Sequence, residues 1–288
     1  MALKNLYKKM NKIKSYAKIN LALNILGKNS RLHKIESIVA FVSLHDVIYI
    51  KKIKNENHKI SFYGQFSKKI DKNNTISKLL KILEKRKLLK NIKFEIQIDK
   101  RIPSKSGLGG GSMNAANILR FFIKKRIIKI SKKKLNEICK SIGSDVILGL
   151  NSKNSILTPQ QEIFYFKRIK RLYTLIVMPN FGCSTKDIFS RVKVFSKAKF
   201  SKPNNKMFNI DFLKKTKNDL EPVAFAKYSK LRLIKHYLEN LFNPDLVRMS
   251  GSGSALVAYY LSKERCENAK KKFKKKYKNY WCIASKTI

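Results

Sequence analysis

The chain has 288 residues, of which 43% are hydrophobic and 10% aromatic, and it carries 65 Lys and Arg against 18 Asp and Glu, a formal charge of +47 at pH 7. That much apolar material can bury a sizeable core, so two folded domains are expected and a disordered tail is excluded. The charge attracts polyanions, but the lysines run along the whole chain instead of forming a patch or arm. This disfavours a dedicated nucleic-acid binder and predicts unspecific, salt-sensitive sticking.

Cys139, Cys183, Cys266 and Cys282 lie far apart with no C-x-x-C pair, and His33, His45, His58 and His236 show no metal-ligand spacing. Reduced, structural thiols are expected. No apolar run approaches the ~20 residues of a membrane span. The basic start, Met1 to Lys14, lacks the apolar centre of a secretion signal, so the expected location is the cytoplasm.

In chain order, Ala17, Ile19, Leu21, Leu23 and Ile25 alternate with Lys18, Asn20 and Asn24, which predicts a strand with one buried face. Lys18 and Asn20 would project side by side from the other face, about 7 Å apart by strand rise. Pattern alone makes them solvent contacts. After a polar turn at Lys28 to Arg31, His33 falls near a loop end, followed by a segment from Ile35 to Phe41 and strands at Val47 to Ile53 and Ile60 to Gly64. Asn74-Thr75-Ile76 opens a helix through Leu83, with Asn74 or Thr75 as its cap.

Ile92, Phe94, Ile96 and Ile98 alternate with Lys93, Glu95 and Gln97 as a strand, and Ala115 to Phe122 reads as a helix. Between them run Pro103, Ser104, Lys105, Ser106, Gly107, Leu108, Gly109, Gly110, Gly111, Ser112, Met113 and Asn114. The four glycines remove Cβ atoms that would hold a ligand off the backbone, and Ser112 suits the N-cap of the helix. Bare N–H groups feeding a helix start make an anion site, most often for phosphate; a tight turn without a ligand is the alternative. It is not a Walker loop, because no Lys follows the last glycine, nor a dinucleotide fingerprint, which needs Gly or Ala where Ser112 stands. The protein-kinase set with Asp-Phe-Gly is also absent.

Lys132 to Ile142 has helical spacing and stops at Gly143, after which Asp145 is placed as N-cap of a further turn. Leu157 to Lys170, with Thr158-Pro159, reads as a domain boundary, and Leu172 to Met178 as a buried strand. Gly182 to Thr185 starts a helix carrying Ile188 and Phe189, with Ser184 or Thr185 as cap; Lys197 to Lys206 reads as an exposed loop and Pro222 to Leu241 as one long helix. Strands at Val247 to Met249 and Ala255 to Tyr260 flank a second glycine turn, Ser250-Gly251-Ser252-Gly253-Ser254. A helix, Glu264 to Tyr277, and a strand, Trp281 to Ser285, close the chain. Strands and helices mix without a βαβ rhythm, so the class is α+β.

The glycine loop, continued through Asn114-Ala115-Ala116, resembles the second motif of the GHMP kinases, small-molecule kinases whose loop wraps the phosphates of ATP without a Walker lysine. Tyr16 to Leu21 resembles the family's opening motif, Arg248 to Ser254 its C-terminal glycine motif, and Ile142 to Val146 the segment with its catalytic aspartate. Pro179 to Phe189 and Asn218 to Glu221 also fall where related segments stand, so the likeness covers nearly the whole chain. It implies a two-domain fold: a ribosomal-S5-like ATP-binding domain, residues 1–157, and a ferredoxin-like domain, residues 158–288, with the active site in the cleft between them.

The resemblance also overturns the solvent reading of Lys18 and the capping reading of Asp145, which match the family's catalytic pair. A carboxylate at Asp145 would take the acceptor hydroxyl's proton as the bond to phosphorus forms, and Lys18 would keep it ionised and offset charge on the transferring group. ATP and Mg²⁺ are the implied cofactors, with the metal ligands left open. Pro103 to Ser112 and Asn114 match ATP positions, and Asn74 and Lys100 match its adenine side. Asn20, His33, Thr185, Phe189 and the turn Gly251, Ser252 and Gly253 match the acceptor side, where Phe189 would stack on a cytosine and His33 would bond its edge.

The implied activity is phosphorylation of the 2-hydroxyl of 4-diphosphocytidyl-2-C-methyl-D-erythritol, a cytidine-diphosphate-linked polyol of the non-mevalonate route to isoprenoids. The implied protein is a monomer or weak homodimer with no specific nucleic-acid or membrane partner. The alternatives are another GHMP kinase, acting on mevalonate, homoserine or a sugar, and a polyanion- or RNA-binding protein on an S5-like fold. Three departures stand out: Leu32 replaces a second aromatic, Ile147 replaces a proline, and Thr158 to Glu162 replaces a glycine-rich segment. Loss of one stacking face is expected to weaken acceptor binding by ~1–3 kcal/mol.

Overall fold

Long alternating runs shape the start of the molecule. A computed structural model describes residues 10–29, 33–68, 70–167 and 169–288. Two long strands, β1 (Asn11–Lys28) and β2 (His33–Ile53), pair with each other and are followed by β3 (Lys59–Tyr63), α1 (Thr75–Lys85) and β4 (Lys93–Asp99). Next come α2 (Gly110–Lys124), α3 (Lys132–Ile142), α4 (Val146–Gly149), β5 (Asn154–Leu157), β6 (Ile163–Phe166) and β7 (Tyr173–Met178). The remainder is α5 (Thr185–Ser190), α6 (Ile210–Lys214), α7 (Leu220–Lys227), α8 (Ser229–Glu239), β8 (Leu246–Met249), β9 (Leu256–Tyr260), α9 (Lys263–Lys276) and β10 (Trp281–Lys286). The class is α+β, as expected.

The chain divides into two compact units that interleave in sequence. One holds the described residues up to Ala17 with Leu44–Ser104 and Gly109–Ser152; the other holds Lys18–Ser43, Lys105–Leu108 and Lys153–Ile288. In the first unit, β4 pairs antiparallel with Val47–Ile53 and parallel with β3. The predicted alternation of β4 holds, since Phe94, Ile96 and Ile98 are buried in a core with Ile48, Ile50, Leu79, Leu83, Leu119 and Phe122. Each such side chain contributes roughly 1.5–3 kcal/mol relative to exposure. Asn74 caps α1 in a capping box with Ser77, and the buried positions Ile76, Leu79, Leu80 and Leu83 follow at helical spacing.

In the second unit, β10, β7, β9 and β8 form an antiparallel sheet in that order. Leu175, Val177, Leu256, Ala258 and Tyr260 of that sheet share a core with Leu220 and Ala224 of α7, Leu231 and Ile234 of α8 and Phe273 of α9. Ser37–Val39 of β2 pairs with β5, which pairs in turn with β6.

Several expectations need correction. The β1 strand has no solvent face between Ala17 and Ile25: Lys18, Asn20 and Asn24 are buried too. Asn24 makes this possible by donating to Glu36 Oε1 at 2.7 Å, so the polar face is satisfied internally. Residues 33–53 form one strand, not two segments, and the polar-interrupted region after Leu157 contains β6. The helix expected from Pro222 to Leu241 is two helices, broken at Tyr228, whose φ of −126° and ψ of 79° are non-helical. Lys197–Lys206 is exposed except at the half-buried Pro203 and at the buried Phe200, where the N–H groups of Lys199 and Phe200 reach Glu36.

No helix among the described residues is long and apolar enough to cross a membrane. The four cysteines are free thiols. Burial pushes Cys139 and Cys183 up to about 11, Cys266 up to about 12 and Cys282 upward, which suits inert structural thiols.

Candidate active site

The glycine loop divides between the two units at Gly109. In the second unit, Lys105–Leu108 is stitched down through its carbonyls. Lys105 O accepts N–H bonds from Cys183 at 3.1 Å and Ser254 at 3.3 Å, and Ser106 O accepts from Ala255 at 3.1 Å. Gly107 O accepts from Ser250 Oγ at 2.9 Å, and Leu108 O from the Lys18 N–H at 3.1 Å. Gly107 is a required glycine: its φ is +75°, and a Cβ there would lie 1.9 Å from Ser250 O.

In the first unit the chain continues as α2. Gly109, with φ +70° and ψ 12°, is its N-cap and has no side chain to close the first turn. This corrects the expected cap at Ser112, which lies inside the helix as its third residue. The first N–H groups of a helix have no intrahelical partner, so a helix start without a side-chain cap presents them to an anion. Thr75 Oγ1 donates to Gly111 O at 2.8 Å and braces this turn.

Asp145 heads α4 with φ −79° and ψ −12°, but its side chain makes no capping bond, so the capping reading fails. A Cβ on Gly143 would lie 3.8 Å from Ser112 Oγ. Within the first unit, therefore, the start of α2 is brought against the turn that leads to Asp145. Asn74 Oδ1 is occupied as the cap of α1 by the N–H groups of Ile76 and Ser77. Lys100 and Asn114 both reach the buried carboxylate of Asp46, a residue to which the sequence reading gave no part. The signal for it was a carboxylate between two apolar stretches of β2.

In the second unit, Lys18 Nζ donates to Asn20 Oδ1 at 2.7 Å, and Asn20 Nδ2 donates to Ser37 Oγ at 2.8 Å. The second glycine turn reaches this strand through the Asn20 N–H, which donates to Ser250 Oγ at 3.2 Å. Asn218, also missed as a single residue, holds the turn by donating to the carbonyls of Met249 at 2.9 Å and Gly251 at 2.8 Å. Arg248 is buried with its guanidinium on the carbonyls of Leu21, Leu213 and Thr216.

The residues that the resemblance matches to the acceptor side also lie in this unit. The rings of His33 and Phe189 lie 5.2 Å apart, centroid to centroid, at 50°. His33 Nε2 is buried without a protein partner. Burial, with a smaller contribution from Lys28, lowers the His33 pKa, so the ring is neutral at pH 7 and can donate from one nitrogen and accept at the other. Thr185 Oγ1 and Ser252 Oγ are 3.0 Å apart, which ties the start of α5 to the second glycine turn. Leu32 lies outside the described residues. The turn Thr158–Glu162 closes with Gln161 in the left-handed conformation, φ +65°, and Gln161 Nε2 donates to Ile35 O at 2.9 Å.

Comparison with known proteins gives the family and the fold. The family model for the GHMP kinases N terminal domain matches residues 74–155. A relative from Pelagibacter ubique (strain HTCC1062), named 4-diphosphocytidyl-2-C-methyl-D-erythritol kinase, is 55% identical over 277 residues, covering 96% of this chain and 99% of the relative. One of the same name from Finegoldia magna is 31% identical over 284 residues, covering 97% and 100%. Among solved structures, a 4-(cytidine 5'-diphospho)-2C-methyl-D-erythritol kinase matches with a TM-score of 0.76 at 19% identity, covering 96% of this chain and 99% of the other. A homoserine kinase from Cytophaga hutchinsonii matches with a TM-score of 0.71 at 16% identity, covering 98% and 95%. These structural likenesses give the fold, and the sequence relatives with the family model give the class: a small-molecule kinase of the GHMP type. Within that class, the chain belongs to the 4-diphosphocytidyl-2-C-methyl-D-erythritol kinase family.

Proposed function

We propose that the chain transfers the γ-phosphoryl group of ATP to the 2-hydroxyl of 4-diphosphocytidyl-2-C-methyl-D-erythritol, releasing ADP. The observation that carries the acceptor is the His33–Phe189 pair, a half-buried aromatic face beside a neutral imidazole with an unpartnered nitrogen. A pyrimidine offers the matching π-face and hydrogen-bonding edge. The reading assigns residues 1–157 to an ATP-binding domain and residues 158–288 to a C-terminal domain.

In this reading the N–H groups at the start of α2 hold the phosphates of ATP, and Asp145 accepts the proton of the attacking hydroxyl as its oxygen bonds to the γ-phosphorus and the bond to ADP breaks. Lys18, held at Asn20, offsets charge on the transferring group. Among the described residues no group of three His, Cys, Asp or Glu side chains could hold a metal. A Mg²⁺ ion therefore suits this chain as one carried mainly by the phosphates, with Ser112 and Asp145 as the available oxygen donors. When bound it neutralises phosphate charge.

The protein acts in the cytoplasm, as a monomer or weak homodimer, without a specific nucleic-acid or membrane partner. The test is ADP release from ATP and Mg²⁺ across a panel of alcohols: the cytidine-linked polyol, mevalonate, homoserine and a sugar. Turnover of the first alone is expected. Asp145→Asn should lower kcat by roughly 10²–10⁴-fold with an unchanged melting temperature. Preference for another alcohol, or a fully active variant, refutes the respective assignment.

A further inference from the structure

Asp46 follows His45 between the apolar stretches Val39–Val42 and Val47–Ile48 of β2 and is fully buried. A carboxylate in such a place is prohibitively costly without partners, and its partners are specific. Oδ1 accepts the N–H groups of Arg101 and Ile102, each at 2.8 Å. Oδ2 accepts the amide Nδ2 of Asn114 at 2.8 Å and the ammonium of Lys100. All of these residues belong to one unit.

The four donors come from the two ends of the glycine loop. Lys100, Arg101 and Ile102 lead out of β4 toward it, whereas Asn114 sits on α2 where the chain leaves it. A carboxylate has only acceptors, so Asn114 is fixed with its Nδ2 toward Asp46. A Cβ on Gly110 would lie 3.1 Å from Lys100 Nζ, so the missing side chain lets the cation lie directly against the helix start. An ammonium there opposes the helix dipole and is tolerated because Asp46 offsets it. With the cation neutralised by Asp46, a phosphate arriving at the same N-terminus is attracted by the free N–H groups and the dipole.

We propose that Asp46 is a positioning residue for the nucleotide loop: one buried carboxylate fixes the strand end that enters the loop and the helix start that leaves it, with Lys100 as its counter-charge rather than as an adenine ligand. The proposal rests on the reading of the loop as an ATP-phosphate cradle. The competing view is that the ion pair only stabilises its own unit.

The test measures affinity for a non-hydrolysable ATP analogue with Mg²⁺ by calorimetry, the KM for the cytidine-linked acceptor, and the melting temperature. Asp46→Asn should weaken analogue binding by roughly 10-fold or more, on the scale that small misplacements of positioning groups cost, and leave the acceptor KM unchanged. The single variant leaves a buried ammonium unpaired, so Asp46→Asn/Lys100→Met is the second variant: it removes that charge and should regain melting temperature. The proposal requires nucleotide affinity to stay weak in the recovered protein. Affinity that returns with the melting temperature, wild-type affinity in Asp46→Asn, or a parallel rise in acceptor KM would each show a purely stabilising role and overturn it. Analogue binding needs no acceptor, so a wild-type protein that binds the analogue but phosphorylates no alcohol loses the acceptor assignment and keeps this test. A wild-type protein that binds no analogue loses the cradle, and this proposal with it.

Discussion

Along Lys105–Leu108 every backbone carbonyl is taken by a donor of the same unit, whereas from Gly109 onward the chain begins a helix whose N-cap has no side chain to close the first turn. The two arms belong to one continuous motif of serines and glycines, yet one uses its carbonyls in the fold and the other opens a helix whose first amides have no side-chain cap. Glycine serves a different need in each. In the first arm it admits another backbone at close range; in the second it supplies a left-handed cap. Changes in the first arm should therefore cost stability, and changes in the second should cost nucleotide binding.

The largest effect is expected from Gly107→Ala. A Cβ 1.9 Å from Ser250 O cannot be relieved by a side-chain movement, and φ is +75° besides. A loss of about 3–4 kcal/mol is predicted, read as a fall in melting temperature on the order of 10 °C. Gly110→Ala sharpens the contrast. Its Cβ would meet only side-chain atoms, Ile102 Cγ2 at 3.0 Å and Lys100 Nζ at 3.1 Å, so about 1 kcal/mol of stability should be lost while the KM for ATP rises roughly 10-fold. Equal stability losses in the two variants, with unchanged ATP kinetics, would dissolve the distinction.

A smaller effect separates the cap of α1 from an adenine contact at one residue. Asn74→Ala should lower stability by about 1 kcal/mol, and Asn74→Asp, which keeps an accepting oxygen, should keep that stability. A raised KM for ATP in both variants supports the adenine assignment; an unchanged KM in both leaves Asn74 as a cap. The smallest effect is in pH. The pKa of His33 lies below its ordinary value of 6.5, so the ring stays neutral near pH 7 and gains its charge only as pH falls through the lowered value. The KM for the cytidine-linked acceptor should be flat at neutral pH and rise in acid, and His33→Gln should remove that acid limb.

Much of this was legible from residues alone because local chemistry decides it. Asn74 and Thr75 stand as the two candidate caps before a helical pattern, of which the fold uses Asn74, β4 alternates cleanly, and the two glycine clusters announce their turns. The cap of α2 was misread because Ser112 is a better cap by composition than Gly109, but only glycine takes the left-handed φ that the entry to this helix needs. The role of Asp46 was illegible because its partners lie 54 to 68 residues away. The same holds for the buried face of β1, where Lys18 and Asn20 look like solvent residues until long-range partners such as Ser37 and Ser250 are in place. The kink at Tyr228 had no Gly or Pro to signal it.

The central claim is the identity of the phosphorylated oxygen. Wild-type protein incubated with ATP, Mg²⁺ and 4-diphosphocytidyl-2-C-methyl-D-erythritol, followed by ³¹P NMR, should give one ADP per acceptor consumed and a new phosphomonoester resonance assigned to the 2-position. ADP without that resonance, or a monoester at another hydroxyl, would contradict the account.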